Sequence, residues 1–462
     1  MLTYQFNLSF GNLYFKNPLL YVVALYYTYF NYYIVEQDGD GAIQKGFFGK
    51  NPVLQNKEFL SFLSVRFGLL FTLNMQVTII FYWIYHLTKD KLSLGMVGLC
   101  EVIPAVGFSL FAGHFVDLNE KRKMVMFCII SYILLGSSLF TLTTPFSLGS
   151  LGMQTTLYLI YFLVFCGGVI RSFMGPSVFS LFGLVVPRKL FANGTSWSSM
   201  AAQTGSMLGP LAAGLLIALD GVVAGMFVVV IIQVLLLFPI LHIKSKPILK
   251  KEKEPILQSL SQGIRFVVKT PALLGAQLLD MFSVLFGGAV ALLPVYQVEI
   301  LHVDEVGYGL LRSAPGVGAL ITLALLAYMP LRKHPGKKLF VAVTGFALSI
   351  IVFGLSTNFI LSFCMLLLSG MFDAVSVVVR STILQLVTPD DMRGRVAAVN
   401  TMFVSSSNEL GDFESGVMAH WLGTVRAVVT GGCITLGVIM VTFFSTPELQ
   451  KFDFEEEEKK KL

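Results

Sequence analysis

Long apolar runs, each about the length of one bilayer crossing, alternate with short polar breaks along most of the chain. A spanning helix needs about 20 mostly apolar residues. On that measure the pattern predicts twelve helices in two blocks of six. The first block covers 59–87, 94–116, 124–142, 154–182, 196–218 and 222–243. The second covers 271–297, 306–330, 339–356, 359–386, 397–420 and 426–445. The longest charged interruption, 244–270, separates the blocks, and its second part, from Pro255 to Val268, reads as an interfacial amphipathic helix. The expected organisation is therefore an N-terminal extension over 1–55, poorly ordered or interfacial, and a six-helix bundle over 56–243. A cytoplasmic linker over 244–270, a second bundle over 271–446 and a charged cytoplasmic tail over 447–462 complete it. Residues 18–35 are apolar, but only Lys16 precedes them and no small-residue cleavage site follows, so no cleavable leader is expected.

Composition agrees with a lipid environment. Only 13% of residues are charged and 55% are hydrophobic, with a mean hydropathy of +0.75. A water-soluble domain usually carries about 25% charged residues. The net charge of +6 is not a nucleic-acid footprint. With both termini in the cytoplasm, nearly all lysines and arginines fall in inside segments, and the outside loops hold only Lys89, Lys91 and Arg426. The chain thus reads as an all-α, multi-pass protein of a cell's inner (plasma) membrane. The five cysteines lie inside apolar runs as small buried hydrophobes, and the six histidines do not cluster, so no metal is expected. No phosphate-cradling glycine loop with lysine is present, which argues against ATP-driven transport.

The two blocks echo each other. A shift of 211 places Gly98, Glu101, Pro104 and Gly107 on Gly309, Arg312, Pro315 and Gly318. A shift of 202 places Gly168, Pro187, Gly209 and Gly214 on Gly370, Pro389, Gly411 and Gly416. Constant offsets imply duplication, and two parallel six-helix repeats around a cavity form the architecture of a secondary transporter.

Several segments resemble signatures of the major facilitator superfamily. Gly113-His-Phe-Val-Asp117 followed by Lys121 and Arg122 is similar to the loop motif after its second helix, with Leu118 and Glu120 at positions usually held by arginine and glycine. Gly205, Gly209, Pro210 and Gly214 resemble the glycine-proline helix-packing signature of exporters. Residues 278–289, 391–400 and 406–416 look like the enterobactin-exporter-like branch. The resemblance implies the major facilitator fold, with twelve helices in two pseudo-symmetric six-helix bundles. It implies alternating-access export of a siderophore-like or drug-like amphipathic molecule, driven by the proton gradient without a cofactor. It also implies a cytoplasmic gate at Gly113, Asp117, Lys121 and Arg122. A monomer in the bilayer is expected. Import or flipping of a lipid such as a lysophospholipid is the nearest alternative within transport. A membrane enzyme is a remoter one, since no convergent His, Asp or Ser cluster is visible.

Charges inside the apolar runs are the sharpest chemical signal. On insertion scales a charge at mid-bilayer costs about 2.5–3.5 kcal/mol, so it should be paired, wet or functional. The candidates are Arg66, Glu101, Arg171, Asp280, Arg312, Asp373, Arg380, Glu409, Asp412 and Glu414. The repeat sets Glu101 against Arg312 and Arg171 against Asp373, so opposite charges hold equivalent positions. Together with Arg380 these form a set of cavity or ion-pair charges, with pairing expected across the two halves. Asp280 lies roughly 14 Å into its helix, at about 1.5 Å per residue. Glu409 and Asp412, three residues apart, share a helix face. Asp280, Glu409 and Asp412 are the proton-coupling candidates.

Overall fold

The structure is a computed structural model and describes residues 52–187, 190–245, 256–328, 334–389 and 392–453. The N-terminal extension up to residue 51, the lysine-rich start of the linker, the tail from residue 454, and the side chains at positions 113 and 117 lie outside the described parts. Among the described residues every regular element is helical. The long ones are α1 (Lys57–Thr88), α2 (Lys91–Leu118), α3 (Lys121–Thr143), α4 (Met153–Val185) and α5 (Phe191–Leu235). After the amphipathic α6 (Ile256–Lys269) come α7 (Pro271–Gly287), α8 (Glu305–Tyr328) and α9 (Pro335–Leu355). Then follow α10 (Phe359–Val387), α11 (Arg393–Leu422) and α12 (Thr424–Ser445).

A helix lies over each of the twelve apolar stretches. α5 carries two of them, because Gly221, at φ 82° and ψ 179°, breaks its 45 residues into two arms, a conformation that glycine adopts at little cost. Among the described residues nine helices are long and apolar enough to cross a membrane, counting Asn193–His242 as one. α2 and α11 have the length, at 28 and 30 residues, but fall outside those nine; the polar stretch of α11 carries Glu409, Asp412 and Glu414.

By contacts the chain forms two compact units. One comprises 1–80, 115–163 and 173–249; the other comprises 81–114, 164–172 and 250–462. In the first, α1 packs on α5 through glycines. A Cβ added at Gly205 would sit 2.6 Å from the Phe67 carbonyl, and one at Gly209 would sit 2.5 Å from that of Phe71. Apolar side chains gain little by leaving lipid for protein, so close backbone approach and van der Waals packing must supply the association.

The second unit repeats this geometry. Gly411, the equivalent of Gly209, brings α11 against α7, where an added Cβ would meet the Val284 and Leu285 carbonyls at 3.0 Å. Gly168 packs against Pro104, and Gly370, its equivalent, packs against Pro315, the equivalent of Pro104. The duplication read from the chain is thus a duplication of helix contacts.

α7 does not run straight through. It stops at Gly287 and resumes as short turns over Val290–Leu292 and Leu293–Val295, ending in a π turn at Tyr296–Ile300. The freed backbone is served by side chains: Ser415 Oγ donates to the Gly288 carbonyl at 2.5 Å, and Arg312 Nη1 to that of Val290 at 3.3 Å. Interrupted helices at membrane depth persist only where such groups satisfy the freed carbonyls.

Candidate transport site

The charges of the second unit gather into two clusters. In the first, Arg171 on α4 lies between two carboxylates: its Nη1 is 2.5 Å from Glu101 Oε1 on α2 and 2.8 Å from Glu409 Oε1 on α11. The side chains of Arg171, Glu101 and Glu409 are 47%, 18% and 4% exposed, so the shared guanidinium is the wettest of the three and Glu409 the driest. Glu409 Oε2 is buried with no hydrogen-bond partner. Glycines place these groups. Gly168, one turn before Arg171, lets α4 approach the Glu101 backbone, and Gly98, one turn before Glu101, lets α11 approach, with its added Cβ only 2.5 Å from the Glu409 carbonyl. Asp412 follows Glu409 by three residues and is electrostatically coupled to Arg312, Glu409, Glu101 and Arg171. Three acids face two bases. Fully ionised, the group would sum to −1 in a medium that penalises uncompensated charge, and one proton on a carboxyl removes the excess.

The second cluster lies among α7, α9 and α10. Asp280 pairs with Arg380, and both are about 5% exposed. A cavity of about 10 Å3, room for one water, is lined by Asp280, Asp373, Ser283 and Ser376 with Phe346 and Phe372. Ser376 Oγ and Arg380 Nε are buried there without partners. Again the acids outnumber the bases, two to one.

The pairing is not the symmetric one. Glu101 pairs with Arg171, but Arg312 does not pair with Asp373. Arg312 bonds the Val290 carbonyl, sits 5.1 Å above the Phe81 ring, contacts Tyr308 and acts on Asp412 through its charge. Break-mending at α7 has taken up the arginine of the second repeat.

The α1–α2 end of this unit is closed by polar contacts. Tyr82 and Tyr85 donate to Glu305 and Glu299 at 2.9 and 2.5 Å, Lys91 lies 3.2 Å from Glu299, and His420 lies 3.4 Å from Asp90. Gly95 and Gly416 meet backbone to backbone between them. Asp90 caps α2 by accepting from the Leu92 and Ser93 N–H groups. Partial burial alone would raise its carboxyl, but those bonds and the Ser93 hydroxyl hold it below the usual carboxylate range. Glu299, Glu305 and the two tyrosines are absent from the charge pattern above, because they lie at helix ends where polar groups are unremarkable. A sequence signal did exist for Gly95 and Gly98: with Glu101 they form an i, i+3, i+6 stripe.

In the first unit, Lys121 donates to the Val116 and Asn119 carbonyls at the end of α2. Arg122 donates to those of Ile240 and Leu241 at 3.2 Å. Both therefore cap helix C-termini, where a cation complements the orphan carbonyls. The expected gate positions Gly113 and Asp117 fall on side-chain positions outside the description. Gly205, Gly209, Pro210 and Gly214 are all buried in α5.

The model of the family described as transmembrane secretion effector matches residues 70–461. The enterobactin exporter EntS of Citrobacter koseri is 25% identical over 375 residues, covering 78% of this chain and 85% of that protein. The Shigella boydii protein of the same name gives the same identity and coverage. Among solved structures, a D-xylose-proton symporter superposes with a TM-score of 0.66 at 13% identity, covering 86% of this chain and 99% of that one. A bacterial homolog of the human lysosomal transporter Spinster, inward-facing and unoccupied, gives 0.64 at 15% identity over 85% and 98%. At such identities these structures speak to fold alone.

Proposed function

Because the chain belongs to the transmembrane secretion effector family and has the fold of the major facilitator transporters, we propose that it is a proton-driven exporter of a small amphipathic, siderophore-like molecule. It is a multi-pass membrane transporter. On our reading it catalyses no reaction, works as a monomer in the inner membrane with both termini cytoplasmic, and draws on the proton gradient with no cofactor. The substrate class follows the name of the EntS relatives.

One observation carries the mechanism: a single guanidinium, Arg171, is shared by carboxylates on helices from both halves of the chain. Glu101 comes from the same half as Arg171 and travels with it. Glu409 comes from the other. Opening the α1–α2 end, the outer end on this reading, breaks Arg171–Glu409 and spares Arg171–Glu101. Glu409 then loses its cation, its Oε2 having no other partner, and a proton from outside neutralises it. Closing returns Arg171 to Glu409 and drives the proton inward. A ligand can bias such a two-state element only by its different affinity for the two states, and here the proton has one.

The test is efflux in inverted vesicles under an imposed pH gradient, with enterobactin, a cationic drug and a lysophospholipid as probes. Gradient-driven movement of enterobactin supports the reading. Gradient-independent movement of every transported probe counts against proton coupling, and movement of lysophospholipid alone favours a lipid flippase.

A further inference from the structure

The first unit holds a cation that the mechanism above does not use. Arg66 stands about 14 Å along α1, at about 1.5 Å per residue, and is the only arginine or lysine of that helix beyond its first residue. Its Nε is buried without a hydrogen-bond partner, and no carboxylate among the described residues pairs with it. A guanidinium lying wholly in solvent at the membrane surface would keep Nε wet, so at least that end of the head stays inside the protein.

The face on which Arg66 stands is defined. Between Phe59 and Ile80, α1 is buried everywhere except at 63, 66, 67, 70, 73, 74 and 77, which are half-buried, and no residue in this stretch is fully exposed. Those positions recur every three or four residues and so form one stripe. α1 is also the most enclosed of the nine candidate spans, 72% buried. A helix this enclosed has little surface to offer lipid, and this stripe is the one accessible face of the stretch. That stripe is apolar apart from Arg66 and Asn74, and the Asn74 amide is engaged by the Leu70 carbonyl and Ser206. One unmatched cation thus stands among Leu63, Phe67, Leu70 and Val77.

We infer that Arg66 is the anion-recognising residue of the transport site and that the cargo is an amphipathic organic anion, its carboxylate or phenolate held by the guanidinium and its apolar body by the α1 stripe. The inference rests on the exporter reading and sharpens it. Guanidinium matches a planar oxyanion with two parallel hydrogen bonds, whereas an ammonium offers a point charge. The same group repels a cationic drug, so anion selectivity is set on α1, away from the carboxylate clusters.

The experiment uses the full-length protein in detergent and, separately, in proteoliposomes. Binding of a dansylated amino acid and of its neutral methyl ester is measured by fluorescence, with enterobactin as competitor. The wild type should favour the carboxylate over the ester by about tenfold or more, the range of a charge-assisted bond. Arg66→Met should erase the preference, and Arg66→Lys should keep part of it, with unchanged thermal stability showing that both variants are folded. If Arg66→Met fails to fold, the Arg66→Lys and wild-type comparison decides alone. A wild type without preference, or an Arg66→Met protein or a bound Arg66→Lys protein with the full preference, overturns the inference. Loss of gradient-driven efflux in wild-type proteoliposomes, with the binding preference intact, would sink the exporter reading and leave the anion site standing.

Discussion

Replacing Gly98 by alanine adds one methyl group at the α2–α11 contact. Its Cβ would lie 2.5 Å from the Glu409 carbonyl oxygen, 2.8 Å from Asp412 Cβ and 3.1 Å from the Phe413 nitrogen. Ordinary contact begins near 3.4 Å, so the backbones must part by about 0.9 Å, and no rotamer change can relieve a clash with backbone. Overpacking of this kind costs about 1–3 kcal/mol. The cost falls on the arrangement in which α2 and α11 touch and disappears when they separate. The substitution should therefore shift the equilibrium toward opening of the α1–α2 end by roughly 5- to 150-fold. Leu94, fully buried beside Gly95, reports the change. In a background lacking the five native cysteines, a Leu94→Cys protein should react with a membrane-impermeant maleimide at least tenfold faster when Gly98→Ala is added. Gly107→Ala is the control on the same helix, since its added Cβ meets nothing within 4 Å. Equal labelling in the Gly98 and Gly107 variants, with both folded, would refute the view that this contact closes the end.

Glu409→Gln should leave Arg171 paired with Glu101 and bring efflux with a pH gradient down to the rate without one; a retained gradient dependence removes Glu409 from coupling. Arg380→Gln strands the buried Asp280 beside Asp373 and should cost about 3–5 kcal/mol, seen as a lower melting temperature in detergent, with Asp280→Asn restoring most of the loss in the double variant. Gly370→Ala drives a Cβ into the Pro315 carbonyl and Gly168→Ala drives one to 2.6 Å from the Pro104 ring. Each should lose about 1–3 kcal/mol, while Gly183→Ala, whose Cβ meets nothing, should be neutral in the same melting assay.

The helices were legible because lipid leaves the backbone few choices. Every spanning segment must satisfy its own N–H and C=O groups, so length and apolarity find most of them, while α2 and α11 have the length but fall outside the nine candidate spans among the described residues. The breaks were harder. Gly221, which divides α5, fell between two apolar stretches and was visible as a boundary. The interruption after Gly287 was not, because the residues on both sides are equally apolar and the compensation comes from Arg312 and Ser415, on other helices. The duplication was legible as constant offsets, and Gly168–Pro104 with Gly370–Pro315 gives those offsets physical content.

The candidate site was legible as a list of charges but not as a set of pairs, and the difference is instructive. Symmetry sets Glu101 opposite Arg312 and Arg171 opposite Asp373 in the alignment, yet duplicated helices need not keep duplicated chemistry. Once α7 is interrupted, its freed Val290 carbonyl needs a donor, and Arg312 supplies it. Asp373 then lines a water-sized cavity with Asp280, and Arg380 becomes the cation of that cluster. In the first repeat Arg171 serves Glu101 and reaches across to Glu409. The break in one repeat and the shared arginine of the other are thus two sides of one asymmetry. On the proposed proton-driven reading the switch needs such inequality, because a pair matched identically in both halves gives the proton no state to prefer.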